Sequence, residues 1–199
     1  MAEGRPYRGG VQMSSETSKT LREAVSFAYE KLGFPSDGGV TADYWSPISV
    51  RGLPVVLPNF DWRKKAVPYH DLHHILTGYP FSPTGEFEMA AWEFAAGRYP
   101  NPYTALFCIP LVCMGALLIP KRTFNAYVRG TNSRTLYSVP DLECLLDQSV
   151  VDIRRRILPN RYIKPRLRDF LGYLGLVVCS GFVLTSPFTL IVGMWLLVQ

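Results

Sequence analysis

Cysteine is scarce in this chain, four residues in 199, and no two of them form a Cys-x-x-Cys pair. Cys108, Cys113 and Cys179 lie in apolar runs, so reduced, buried thiols in a reducing compartment are expected, with no disulfide framework. The first fifteen residues lack an apolar core, which argues against a signal peptide. They also hold too few basic residues for a mitochondrial presequence, and residues 1–17 are expected to form a disordered tail. No internal repeat, no nucleic-acid motif and no aromatic stripe along the basic stretch is present. A nucleic-acid partner is therefore not expected, despite the net charge of +5. From Leu171 to Gln199 charged residues are missing altogether.

What is there is unevenly placed. Hydrophobic residues make up 48% of the chain, concentrated between Leu106 and Pro120 and beyond Phe170. An unbroken helix over 171–199 would be ~43 Å long, more than the ~30 Å hydrocarbon core of a bilayer. Ser186-Pro187 is expected to kink it or divide it into two shorter helices. Arg154, Arg155, Arg156, Arg161, Lys164, Arg166 and Arg168 precede the stretch, which suits anionic membrane headgroups. The expected fold class is mainly α. A helical metal-binding domain over 18–168 is followed by an apolar membrane-anchoring segment over 169–199, either a helix or a helical hairpin.

Apolar residues recur at Leu21, Val25, Ala28 and Leu32, one helical face that Gly33 and Pro35 end. Residues 36–58 read as turns and short extended pieces. A short helix is expected after Val67, with Pro68 in its first turn and Gly78 as its C-terminal cap. A second should run from Thr84, its N-cap, to Ala96, and a third from Asn101-Pro102 to Ile119, perturbed at Pro110. The third is too short for a comfortable span and is expected to be buried or interfacial. Ser138 to Ile157 reads as one amphipathic helix capped by Ser138, with Leu142, Leu145, Leu146, Val150, Ile153 and Ile157 on a shared face.

All three histidines fall in the string His70-Asp71-Leu72-His73-His74. On a helix, taking His70 as zero, His74 lies at about 40° and Asp71 at about 100°, while His73 lies at about −60° on the other side. Two imidazoles one turn apart can meet at a single ion, and Glu86, in the first turn of the next helix, can close the site. Two imidazoles and two carboxylates suit zinc, manganese or ferrous iron, with positions left open for water or substrate. Asp71 has a second reading, as an outer partner orienting an imidazole. Glu88 and Glu93 are reserve carboxylates. Tyr79, Phe81 and Trp92 are candidates for a pocket wall, although aromatics so spaced are more often core.

The pattern His70-Asp71-x-x-His74, eleven residues, then Glu86 resembles the signature of the coenzyme Q (ubiquinone) biosynthesis protein 4 family. Gly78, Ser82-Pro83 and Gly85 fit with it, as do Ala126-Tyr127-x-Arg129-Gly130 and Ile153-Arg154-Arg155-Arg156. The resemblance spans roughly residues 18 to 160 and implies a helical, membrane-associated protein. It further implies a divalent ion held by His70, Asp71, His74 and Glu86, which would be both metal ligands and catalytic residues. The implied reaction is oxidative decarboxylation of a polyprenylated hydroxybenzoate, replacing a ring carboxyl with hydroxyl. Implied partners are that quinone precursor, membrane lipid and other quinone-biosynthesis enzymes, with a homodimer also in view. The implied location is the cytoplasmic face of a bacterial membrane, or the matrix face of the mitochondrial inner membrane. The apolar tail departs from the family, whose members are usually peripheral. Two rival functions stand beside the enzyme: a non-catalytic prenyl-lipid-binding scaffold for quinone-pathway enzymes, and a metal-dependent hydrolase of another lipid.

Overall fold

The computed structural model describes residues 19–50, 53–160 and 163–197; the tail expected over 1–17 lies outside them. The described chain is mainly helical and forms two compact units. The first comprises residues 1–79 and 136–157, the second 80–135 and 158–199.

The first unit opens with helix α1, Leu21–Leu32. Thr20 caps it: its hydroxyl accepts from the Glu23 N–H while the Glu23 carboxylate accepts from the Thr20 N–H, satisfying two orphan donors at once. Strands β1, Tyr44–Val50, and β2, Leu53–Pro58, pair antiparallel as a hairpin in the region expected to be extended. Helix α2 runs over Asp61–Thr77. It begins well before Val67, so Pro68 lies inside it and not in its first turn. Loss of the Pro68 N–H costs one backbone bond. Burial of Ala66, Leu72 and Leu76 on either side of the proline offsets that cost. Gly78 ends the helix as its αL cap, φ 78°, its N–H donating to the His74 carbonyl.

The single helix expected over 138–157 is two: α6, Leu142–Leu146, capped by Asp141 and not by Ser138, and α7, Val150–Ile157. The break between them serves α1. The Leu21 N–H donates to Gln148 O, the Val150 N–H donates to Lys19 O, and Ser149 bridges Thr20. The apolar period runs through unbroken, since Leu145, Val150, Ile153 and Ile157 are all buried. Arg154 of α7 donates to the carbonyls of Leu76 and Ile75 at 3.0 and 3.1 Å, capping the C-terminus of α2. That arginine is therefore committed within the unit and does not stand free for headgroups.

The second unit holds α3, Pro83–Ala96, α4, Pro102–Leu118, α5, Pro120–Gly130, and α8, Leu167–Leu197. Ser82, not Thr84, caps α3, with Pro83 at its first position. Asn101 caps α4, which continues through Pro110. Helix α5 was not anticipated by periodicity. It packs closely on α3 because Gly130 has no side chain: a Cβ there would lie 2.4 Å from Trp92 O and 2.7 Å from the Ala95 Cβ. Trp92 is fully buried and donates to Ser133 Oγ, so it belongs to the core. The C-terminal stretch is one helix, continuous across Ser186-Pro187, and not a hairpin.

Gly130→Ala should destabilise the protein by roughly 1–3 kcal/mol, because backbone and not a flexible side-chain end blocks the added methyl. A lowered midpoint in thermal unfolding followed by circular dichroism checks this.

Candidate metal centre

The polar residues His70, Asp71, His73 and His74 all lie on α2. His70 and His74 lie one turn apart, and their Nε2 atoms face each other at 3.2 Å with the rings nearly perpendicular, at 79°. His74 is buried and His70 half-buried. His74 Nδ1 stands 3.0 Å from Tyr79 O. A carbonyl only accepts, so Nδ1 carries a proton, and Nε2 is the nitrogen turned toward His70. The local chain order produces this contact. Gly78 turns the chain out of the helix and brings the next carbonyl back beside the last turn.

The separation is informative. Two nitrogens each ~2.05 Å from one zinc ion at a near-tetrahedral angle stand ~3.3 Å apart. The imidazole pair meets this spacing without rearrangement. The same spacing serves a hydrogen bond when one of the two Nε2 atoms holds a proton.

Asp71 turns elsewhere. Its Oδ2 accepts from the Tyr29 hydroxyl at 2.6 Å, in a buried contact between α1 and α2. Gly38 closes over this pair: a Cβ at Gly38 would fall 2.5 Å from Tyr29 Oη and 3.2 Å from Asp71 Oδ2. Burial first, and then the charge of Asp71, pushes the Tyr29 phenol far above its ordinary range. Burial lowers the Arg63 pKa while the charge of Asp71 opposes that shift. Arg63 lies over the Trp45 ring at 3.8 Å and donates to Asn59, whose own amide donates to three carbonyls of the 39–42 loop. Asp71 thus works within a neutral-phenol and guanidinium environment beside the histidine pair.

His73 faces the opposite side, as its helical angle requires. It is fully buried, its Nε2 accepts from the Leu136 N–H at 2.8 Å, and its ring meets Tyr137 edge-on. It is a core histidine. In the second unit, Glu86 sits half-buried in the first turn of α3. Glu88 is buried and engaged by Arg122 at 3.1 and 2.5 Å, which ties α3 to α5. Glu93 is buried as well. The structure therefore brings His70 and His74 together, directs Asp71 to Tyr29, and gives Glu88 a structural partner. Tyr29, Gly38 and the Tyr79 carbonyl went unnoticed in the sequence. Only Gly78, which turns the chain back toward His74, carried a hint of them.

Tyr29→Phe should cost roughly 1–3 kcal/mol by leaving a buried carboxylate short of a donor. Because folding raises the phenol pKa, its stabilisation is complete below the unfolded value of about 10 and is lost as pH rises above that. The stability gap between wild type and variant should then be widest near neutrality and narrow in alkali, as read by thermal unfolding across pH. Comparison of the chain with protein-family models, curated proteins and solved structures yields no match, so the geometry of α2 carries the functional reading.

Proposed function

We propose that the protein binds one divalent cation through His70, His74 and Glu86, each offering one ligand atom. On this reading it performs oxidative decarboxylation of a polyprenylated hydroxybenzoate in ubiquinone synthesis. Zinc is the first choice of cation, with manganese or ferrous iron as alternatives. One observation carries the reading: the two Nε2 atoms stand 3.2 Å apart, with His74 Nδ1 tied to a backbone carbonyl. An imidazole pair oriented for a metal by its outer contacts would have this arrangement, which supports the reading. Glu86 follows the pair by one short loop and brings the carboxylate that a two-histidine set needs to balance charge. Asp71, held by Tyr29, then acts as an outer partner adjacent to His70.

Exchange of a ring carboxyl for hydroxyl with release of carbon dioxide removes two electrons from the substrate, so dioxygen or another oxidant must enter with it. A bound divalent cation would supply polarisation of a carboxylate or phenolate oxygen. The chain's own part is to orient the His74 imidazole through the Tyr79 carbonyl and to keep Tyr29 protonated beside Asp71. The prenyl tail calls for an apolar route from lipid. Helix α8 over Leu167–Ser186 is long and apolar enough to cross a membrane, which supports a membrane-associated protein. By the bias of basic residues at its start, its N-terminal end belongs on the cytoplasmic or matrix side.

His74→Ala in the full-length protein tests this. Bound metal, read by elemental analysis, should fall from about one per chain to near none. Altering outer partners of a metal site typically costs ~10–100-fold. Loss of a ligand should exceed this in turnover of a prenylated hydroxybenzoate under air. If quinone synthesis persists in cells carrying His74→Ala while pathway enzymes still co-purify, the protein is a scaffold. Release of product without oxygen would make it a hydrolase.

A further inference from the structure

Helix α4 has its polarity arranged in a way that water does not favour. Thr104, Cys108, Val112 and Gly115 form its buried stripe, and its exposed stripe is at least as apolar. Leu106, Leu117 and Leu118 are exposed on it, Leu117 to 78%. No charged residue occurs between Pro102 and Pro120. A helix apolar on all sides belongs inside a protein or in lipid.

Helix α8 continues this face. Cys108 and Val112 pack with Leu176 and Val177, while Gly115 abuts Thr123, whose hydroxyl meets that of Tyr173 at 2.6 Å. Later residues of α4 therefore meet earlier residues of α8, and the two helices run antiparallel. Asp169, Tyr173 and Ser180 turn inward on α8, whereas Leu171, Val178 and Phe182 face out, Phe182 to 72%. The remainder of α8 cannot fold back over this surface, because it continues as helix to Leu197.

The exposed charge around the pair is of one sign. Lys121 follows α4, and Lys164, Arg166 and Arg168 precede or open α8. Phe124 packs on Phe170, so Lys121 and Arg166, one turn before each, stand at the same end of the pair. Asp169 is buried, accepts from the Arg166 N–H and faces the Arg168 guanidinium at 3.6 Å, so it offsets part of one cation.

We propose that α4 and α8 together form a lipid-facing surface seated in a bilayer with anionic headgroups, so that α8 is not a lone tether on a water-borne domain. This rests on the membrane association of the function proposed above and is independent of the metal chemistry. Commitment to lipid follows from the apolar exposed stripes joined to an end whose exposed charges are basic, a combination that matches acyl chains beneath anionic headgroups.

The test places the photocrosslinker p-benzoylphenylalanine singly at Leu106, Leu117, Phe182 and, as an exposed control in the first unit, Glu143. The full-length protein is added to preformed phosphatidylcholine vesicles with and without phosphatidylglycerol, and lipid adducts are read by mass spectrometry. Adducts at Leu106, Leu117 and Phe182 and none at Glu143 are expected. Adducts at Phe182 alone would overturn the proposal and leave α8 as a tether. A crosslinked dimer from Leu106 or Leu117 would assign the face to a second copy. Failure to float with either vesicle would remove the membrane part of the proposed function too, while leaving its metal content measurable. Lys164→Glu with Arg166→Glu and Arg168→Glu should weaken flotation with the anionic vesicles by about fivefold or more per charge. Unchanged flotation would overturn the headgroup contribution.

Discussion

Helix α2 must stay helical from Pro68 to Thr77, because four of its side chains are useful only at fixed angles to one another. His70 and His74 meet because they are one turn apart, and a break anywhere between them would separate their nitrogens. The same regularity sends Asp71 to Tyr29 and His73 to the Leu136 amide. The end of the helix is secured from two directions: Gly78 turns the chain in an αL conformation, and Arg154 satisfies the Ile75 and Leu76 carbonyls. The helix end that carries the histidine pair is thus held by backbone and side-chain contacts within its own unit.

Each polar group in this region has its partner for an electrostatic reason. A buried carboxylate such as Asp71 is tolerable only with donors and nearby positive charge, and Tyr29 and Arg63 provide both. Glu88 shows the same rule in the second unit, where Arg122 meets it with two nitrogens. Close helix packing there depends on small residues, with Gly130 against Trp92 O and Gly115 against Thr123 and Phe87. The tight α3–α4–α5 arrangement buries their facing sides and leaves the far side of α4 outward, where its apolar character has no aqueous rationale.

Local rules read from the chain succeeded where the cause is local. Gly33 and Gly78 are αL caps, and the 3.6-residue period of Leu21 to Leu32 is one helix. They failed where the cause is distant. Pro68 looked like a helix start, yet α2 begins at Asp61 because Ala66 finds burial. The period from Leu142 to Ile157 looked continuous, yet the backbone breaks at Ser149 to pair with Thr20. Helix α5 is a miss of another kind, since Pro120 opens it and its buried positions Thr123, Ala126 and Gly130 recur at helical spacing.

From sequence alone came the helical fold class, the apolar C-terminal stretch, and the angular separation of His70 and His74 from His73. All three follow from covalent spacing on a helix, a property every segment carries with it. Tertiary structure alone decided that Asp71 answers to Tyr29 and that α8 is one helix packed along α4. Those depend on which surfaces meet. Chain spacing says which way a side chain leaves its helix, but only packing supplies what it finds there.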